Sequence, residues 1–109
     1  MNWGVSGANM TAAEMANQIE TAVAAGIRTF DHADIYGGYT TEAAYGAAFA
    51  LADVRREEVE FISKCGICYP PEGTVYAVKR YDYSAAHIRC SVEKSLRNLQ
   101  TPYLDLFLL

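Results

Sequence analysis

The chain has 109 residues, 51% of them hydrophobic and 20% charged, with a formal net charge of -4; this describes one small domain with a core and excludes a disordered tail. The acidic balance also excludes a nucleic-acid surface, which needs clustered Lys and Arg to neutralise phosphates, whereas Arg55 with Arg56 and Lys79 with Arg80 occur only as pairs. No apolar run is long enough to span a bilayer and no secretory leader is read, so no membrane partner is expected; three cysteines, an odd number, do not make a disulfide framework, and a reducing cytoplasm is the expected setting.

Residues 1–10 read as a loop. Thr11 and Glu14 then match a capping box, and Met15, Ile19, Ala22 and Val23 recur at helical spacing, so a helix is predicted over 11–25 with Gly26 as its terminator. Residues 27–33 read as a short strand. Gly37 and Gly38 break the chain before a second helix over 41–53, whose Ala43, Ala44, Ala47, Ala48 and Leu51 offer a small-residue surface expected to pack on a sheet. In residues 58–64, Val59, Phe61 and Ser63 alternate with Glu60, Ile62 and Lys64, the pattern of a strand with two usable faces. Residues 66–83 carry Pro70, Pro71, Gly73 and several aromatics and read as a long excursion above the sheet. Ser84 caps a third predicted helix with Ile88, Val92, Leu96 and Leu99 on one stripe. Thr101 and Pro102 stop it before a last strand over 103–109, apolar almost throughout, as a parallel sheet covered on both faces requires.

Helices and strands alternate strictly, which predicts a parallel α/β sheet. A closed eight-stranded α/β barrel takes about 250 residues. The loop at the start and the apolar strand at the end therefore lead us to expect residues 1–109 to be the N-terminal part of such a barrel, lacking its first strand and its C-terminal portion. A fragment of this kind is expected to be inactive alone.

In parallel α/β folds, sites gather where strands end and the following loops begin. Asp31 lies near the end of the first predicted strand, Lys64 ends the second, and Tyr36 follows Asp31 by five residues. A phenol is a poor proton donor at neutral pH unless a nearby ammonium favours its phenolate, and a buried ammonium needs a carboxylate to stay charged. On this reading Tyr36 donates a proton to a carbonyl oxygen, Lys64 tunes the phenol and Asp31 anchors the lysine.

Three separated stretches, GIRTFDHADIYGGYTTEAAYG (26–46), EFISKCG (60–66) and YLDLFLL (103–109), together resemble the aldo-keto reductases, and the loop DHADIYGGY resembles the YdhF-type bacterial branch. The resemblance implies a (β/α)8 TIM barrel, NADPH as cofactor and reduction of a small-molecule aldehyde or ketone by a tetrad of Asp, Tyr, Lys and His. It assigns Asp31, Tyr36 and Lys64 to that tetrad, with Asp31 also near the cofactor, and expects the histidine directly after Leu109. It further implies that MNWG (1–4) is a loop lining the nicotinamide pocket, to which Trp3 contributes. The same barrel can instead serve as a non-catalytic nicotinamide-binding or regulatory subunit; the joint presence of Asp31, Tyr36 and Lys64 favours the enzyme.

Other titratable groups carry weaker signals. His32, next to Asp31, is expected to point toward the helical layer in a structural, hydrogen-bonded role, and Asp34 to sit near the pocket mouth. Cys65 and Cys68 form a CxxC that raises a thiol-redox or metal alternative, but the motif follows a strand rather than opening a helix, and a closed zinc site takes four ligands. No metal is expected. Tyr69, Tyr76, Tyr81 and Tyr83 either form an aromatic wall for substrate or pin the excursion to the rim.

Overall fold

The computed structural model describes Trp3, residues 9–70 and residues 78–109. Tyr76, Pro71, Gly73 and most of the opening loop, including three of the four residues of MNWG, lie outside the described residues.

Helix α1 (Ala12–Ala24) starts where the capping box demands. The Glu14 N–H donates to Thr11 Oγ1 at 3.2 Å and the Thr11 N–H donates to Glu14 Oε2 at 2.8 Å, satisfying two N-terminal amides that the helix itself cannot. Strand β1 (Thr29–Asp31) follows, then a four-residue helical turn α2 (Tyr36–Tyr39), helix α3 (Thr41–Leu51), a 3-10 turn (Arg56–Glu58) and strand β2 (Glu60–Lys64). The excursion contains a short antiparallel pair that the sequence pattern did not disclose, β3 (Ile67–Cys68) with β4 (Arg80–Tyr81). Helix α4 (Ala85–Asn98) and strand β5 (Leu106–Leu108) complete the order.

Strands β1, β2 and β5 form one parallel sheet with β2 in the middle. The register aligns Asp31 with Ile62 and Lys64 with Leu108. Because side chains alternate along each strand, Phe30, Phe61 and Ser63 face the helices, while Asp31, Ile62, Lys64, Leu106 and Leu108 share the opposite face. The core lies on the helical side and joins Met15, Ile19, Phe30, Tyr45, Ala48, Val59, Phe61 and Leu99.

Two helix faces differ from expectation. In α3 the buried residues are Glu42, Tyr45, Gly46 and Ala48, while Ala43, Ala44, Ala47 and Leu51 are exposed. An alanine stripe carries little transfer free energy, so the aromatic Tyr45 decides which face turns inward. In α4 the buried positions are Ser91 and Ser95, with Leu99 as C-cap, whereas Ile88, Val92 and Leu96 are only half-buried. The cause is close approach: a Cβ on Gly46 would lie 2.1 Å from the Asn98 carbonyl oxygen, so α3 and α4 meet through small residues. The last strand is also shorter than expected and not covered on both sides among the described residues, with Leu106 and Leu108 exposed.

Arg56 ties the lower end of the sheet. Its guanidinium donates to Asp105 Oδ2 at 2.6 Å, to the Val59 carbonyl at 2.8 Å and to the Tyr103 carbonyl at 3.1 Å, and it lies 4.1 Å from the Phe61 ring centroid. Burial works against the Asp105 charge, but Arg56 and the Phe61 N–H outweigh it and hold the carboxyl below its ordinary range.

Candidate active site

The end of the sheet brings together the three residues that the sequence nominates. Lys64 leaves the last position of β2, the central strand, and its Nζ donates to both oxygens of Asp31 at 2.7 Å and to the His32 carbonyl at 2.9 Å. An ammonium has three protons, so all of them are engaged by β1 and the residue after it. Burial by itself lowers the lysine pKa; the bonds to Asp31 and the adjacent Tyr36 phenol outweigh it, and Lys64 is held above its ordinary value. Lys64 is therefore a fixed cation.

Tyr36 opens α2, and Gly37 and Gly38 in the left-handed region (φ 61° and 63°) turn the chain back sharply behind it. The turn is strapped from the other side: the Tyr39 hydroxyl donates to the Ile67 carbonyl at 3.3 Å and accepts from the Tyr69 N–H at 3.1 Å. The Tyr36 hydroxyl donates to Asp31 Oδ2 at 3.5 Å, the long end of hydrogen-bond range, and Lys64 Nζ stands 5.1 Å from the ring centroid. The Asp31 carboxylate thus touches both the ammonium and the phenol, and the Lys64 charge stands beside the ring.

A cavity of about 190 Å³ opens beside these groups, lined by Tyr36, Lys64, Ala33, Asp34, Ile35, Cys65 and Ile67. Its wall is largely apolar, with Tyr36, Lys64, Asp34 and Cys65 as its polar residues, which suits a flat ring and a carbonyl group. Among the described lining residues Lys64 is the one cation and is already paired with Asp31, so these residues fit the reacting end of a nicotinamide cofactor and not its phosphates. Trp3 is not among these lining residues. It is half-buried against the hydrophobic core, and its carbonyl accepts from the Met10 N–H at 3.3 Å.

His32 points into the helical layer, as its neighbour position implies, with its ring 4.3 Å from that of Tyr45 and 5.7 Å from that of Phe61. The expected side-chain hydrogen bond is not formed at Nε2, which is buried without a partner. Aromatic packing replaces it. Desolvation, opposed by Asp31 and reinforced by Lys64, lowers the His32 pKa to about 4, so the ring is neutral at pH 7. Asp34 is more buried than a pocket-mouth residue, at 8% exposure, and burial with the nearby Glu42 carboxylate raises its pKa.

Glu42 was invisible to sequence reasoning as anything but a helix-surface acid. It is 2% exposed and accepts from Ser63 Oγ at 2.6 Å, fixing the β2 residue just before Lys64. Its spacing one turn before Gly46, which packs directly on α4, was the available signal.

Cys65 is buried and Cys68 half-buried, both free, and burial pushes the Cys65 thiol up although Ser91 opposes it. Among the described residues no three His, Cys, Asp or Glu side chains are grouped to hold a metal. Tyr69 packs edge-on against Tyr39 and Tyr83 lies against Gly66, so these two pin the excursion; Tyr81 stacks on Tyr83 and is exposed.

Comparisons with known proteins show the family. The chain is 45% identical over 108 residues to the oxidoreductase YcsN of Bacillus subtilis, covering 98% of this chain and 36% of that protein. It is 43% identical over 107 residues to the oxidoreductase YdhF of Escherichia coli, with 98% and 36% covered. The 6-dehydroglucose reductase of Agrobacterium fabrum is 45% identical over 103 residues, with 94% and 35% covered. Among solved structures, the holo form of an aldo-keto reductase from Bacillus halodurans superposes with a TM-score of 0.70 at 30% identity, covering 89% of this chain and 31% of that one. The chain thus spans about a third of the length of the relatives it matches. The strands and helices are those of a partial TIM barrel. The Aldo/keto reductase family model matches residues 1–109, and the chain belongs to that family of oxidoreductases.

Proposed function

We propose that residues 1–109 contribute the N-terminal units of a (β/α)8 barrel, and that the whole protein is a cytoplasmic, NADPH-dependent reductase of an aldehyde or ketone. The observation that carries this reading is the cluster at the sheet end: Lys64 clamped by both oxygens of Asp31 at 2.7 Å, with the Tyr36 hydroxyl 3.5 Å from the same carboxylate.

When bound, the nicotinamide supplies a hydride to the carbonyl carbon. The chain supplies the proton and the field. Tyr36 Oη is the donor. Its long bond to Asp31 is weak, so a carbonyl oxygen entering the cavity replaces that acceptor at little cost. As the proton leaves Oη, the developing phenolate stands beside the Lys64 charge, and Asp31 keeps that charge in place. The apolar residues Ala33, Ile35 and Ile67 line the cavity beside these groups, and a cofactor and substrate that displace water there would strengthen the interactions.

Replacing Tyr36 by Phe in the whole enzyme tests the assignment. The ring and its packing remain, so NADPH binding measured by fluorescence quenching should be unchanged. Carbonyl-dependent NADPH oxidation should fall by at least ~100-fold, the usual contribution of a positioned acid. Unchanged turnover rejects Tyr36 as the donor.

A further inference from the structure

Cys68 lies on β3 with its Sγ 3.7 Å from Nε2 of His87, a residue in the first turn of α4. The same Nε2 stands 3.4 Å from Ser91 Oγ. With its proton on Nδ1 the imidazole presents the Nε2 lone pair to the thiol, whose Sγ also lies 3.9 Å from the Gly66 carbonyl oxygen, the other acceptor within its reach. Ser84 caps α4 by accepting from the His87 N–H at 3.2 Å, which fixes the backbone from which the ring projects. Cys68 and His87 are both half-buried and so within reach of small reagents, whereas Cys65 is buried and its thiol is pushed up by desolvation. None of these groups belongs to the Asp31, Tyr36 and Lys64 cluster.

We propose that Cys68 is a modification site: a nucleophilic thiol whose proton is taken by His87 as it attacks a small soft electrophile or hydroperoxide. With an alkyl halide, the S–C bond forms as the C–halogen bond breaks; halide leaves and the thiol proton passes to His87 Nε2. With a hydroperoxide, the S–O bond forms as the O–O bond breaks, sulfur is oxidised to the sulfenic acid, and the second oxygen leaves as water or an alcohol. The CxxC therefore acts through one of its cysteines, the one beside a base. Cys68 is also flanked by Ile67 and Tyr69, the two residues that hold Tyr39, so an adduct there would press on the strap behind α2.

Peptide-resolved alkylation with iodoacetamide tests the proposal on the purified protein, with the exposed Cys90 as internal reference. Cys68 should react at least ~10-fold faster than Cys90 at pH 7, and His87→Gln should remove that advantage, the loss of a general base. His87→Gln should leave the Cys90 rate unchanged, which separates loss of the base from loss of the fold. Cys90 reacting as fast as Cys68, or a Cys68 rate indifferent to His87→Gln, overturns the proposal. Because the measurement needs neither cofactor nor carbonyl, it stands apart from the reductase reading.

Discussion

His32 shows how a residue beside the reacting groups bears on stability rather than on chemistry. Its folded-state pKa of about 4 lies below the ordinary imidazole value of 6.5. Between those values the unfolded chain binds the proton that the folded chain refuses, so stability falls as pH drops from 6.5 toward 4 and levels off below. The difference corresponds to about 3 kcal/mol. Asp34 works in the opposite sense, because its raised pKa lets the folded state take up a proton first on acidification. Urea unfolding at pH 7 and pH 4.5 should show a marked loss for the wild type and a smaller one for His32→Phe, which keeps an aromatic ring against Tyr45 without a titrating nitrogen. Equal losses would remove His32 as the cause. The sequence placed His32 on the correct side of its strand by parity alone. It could not reveal that the ring would be dry and unpartnered at Nε2, since that depends on Tyr45 and Phe61 arriving from other elements.

At the scale of elements, the capping box, the parallel order and the position of Asp31, Tyr36 and Lys64 were legible, because each is written in local pattern: Thr11 with Glu14, the period-two run through β2, the paired glycines after Tyr36. Which helix face turns inward was not. The buried side of α3 is chosen by Tyr45 and by the contact of Gly46 with α4, and neither follows from counting alanines. A methyl group on Gly46 would also lie 2.9 Å from the Leu99 backbone, which cannot yield as a flexible side chain would. Gly46→Ala is therefore expected to separate α3 from α4 and to cost about 2 to 3 kcal/mol, in the range for overpacked cores. A reduced urea midpoint, with Thr41→Ala at the half-buried start of α3 as control, is the check; an unshifted midpoint would show that the two helices slide apart freely. The β3 and β4 pair was equally hidden, since two-residue strands carry no period to read.

The whole molecule is a slab, 46 × 27 × 19 Å with a radius of gyration of 14.6 Å, above the roughly 13 Å expected of a rounded domain this long. Helices cover one face of the sheet; Leu106 and Leu108 on the other are 47% and 41% exposed, and Leu109 beyond them 65%. Strands β1 and β5 flank the described sheet with one neighbour each. The 109-residue polypeptide on its own is thus expected to bind the dye ANS and to self-associate at micromolar concentration, as measured by sedimentation velocity. A monomer that leaves the dye dark would mean that this face is closed by some rearrangement. The strand order has one more result. Lys64 rides on β2, hydrogen-bonded on both flanks, while Tyr36 rides on a four-residue turn strapped to the excursion through Tyr39. On the proposed reductase reading, a molecule entering the described cavity meets a rigid anvil at Lys64 and a more compliant hammer at Tyr36, so added bulk near the phenol is expected to be absorbed more readily than bulk near the amine.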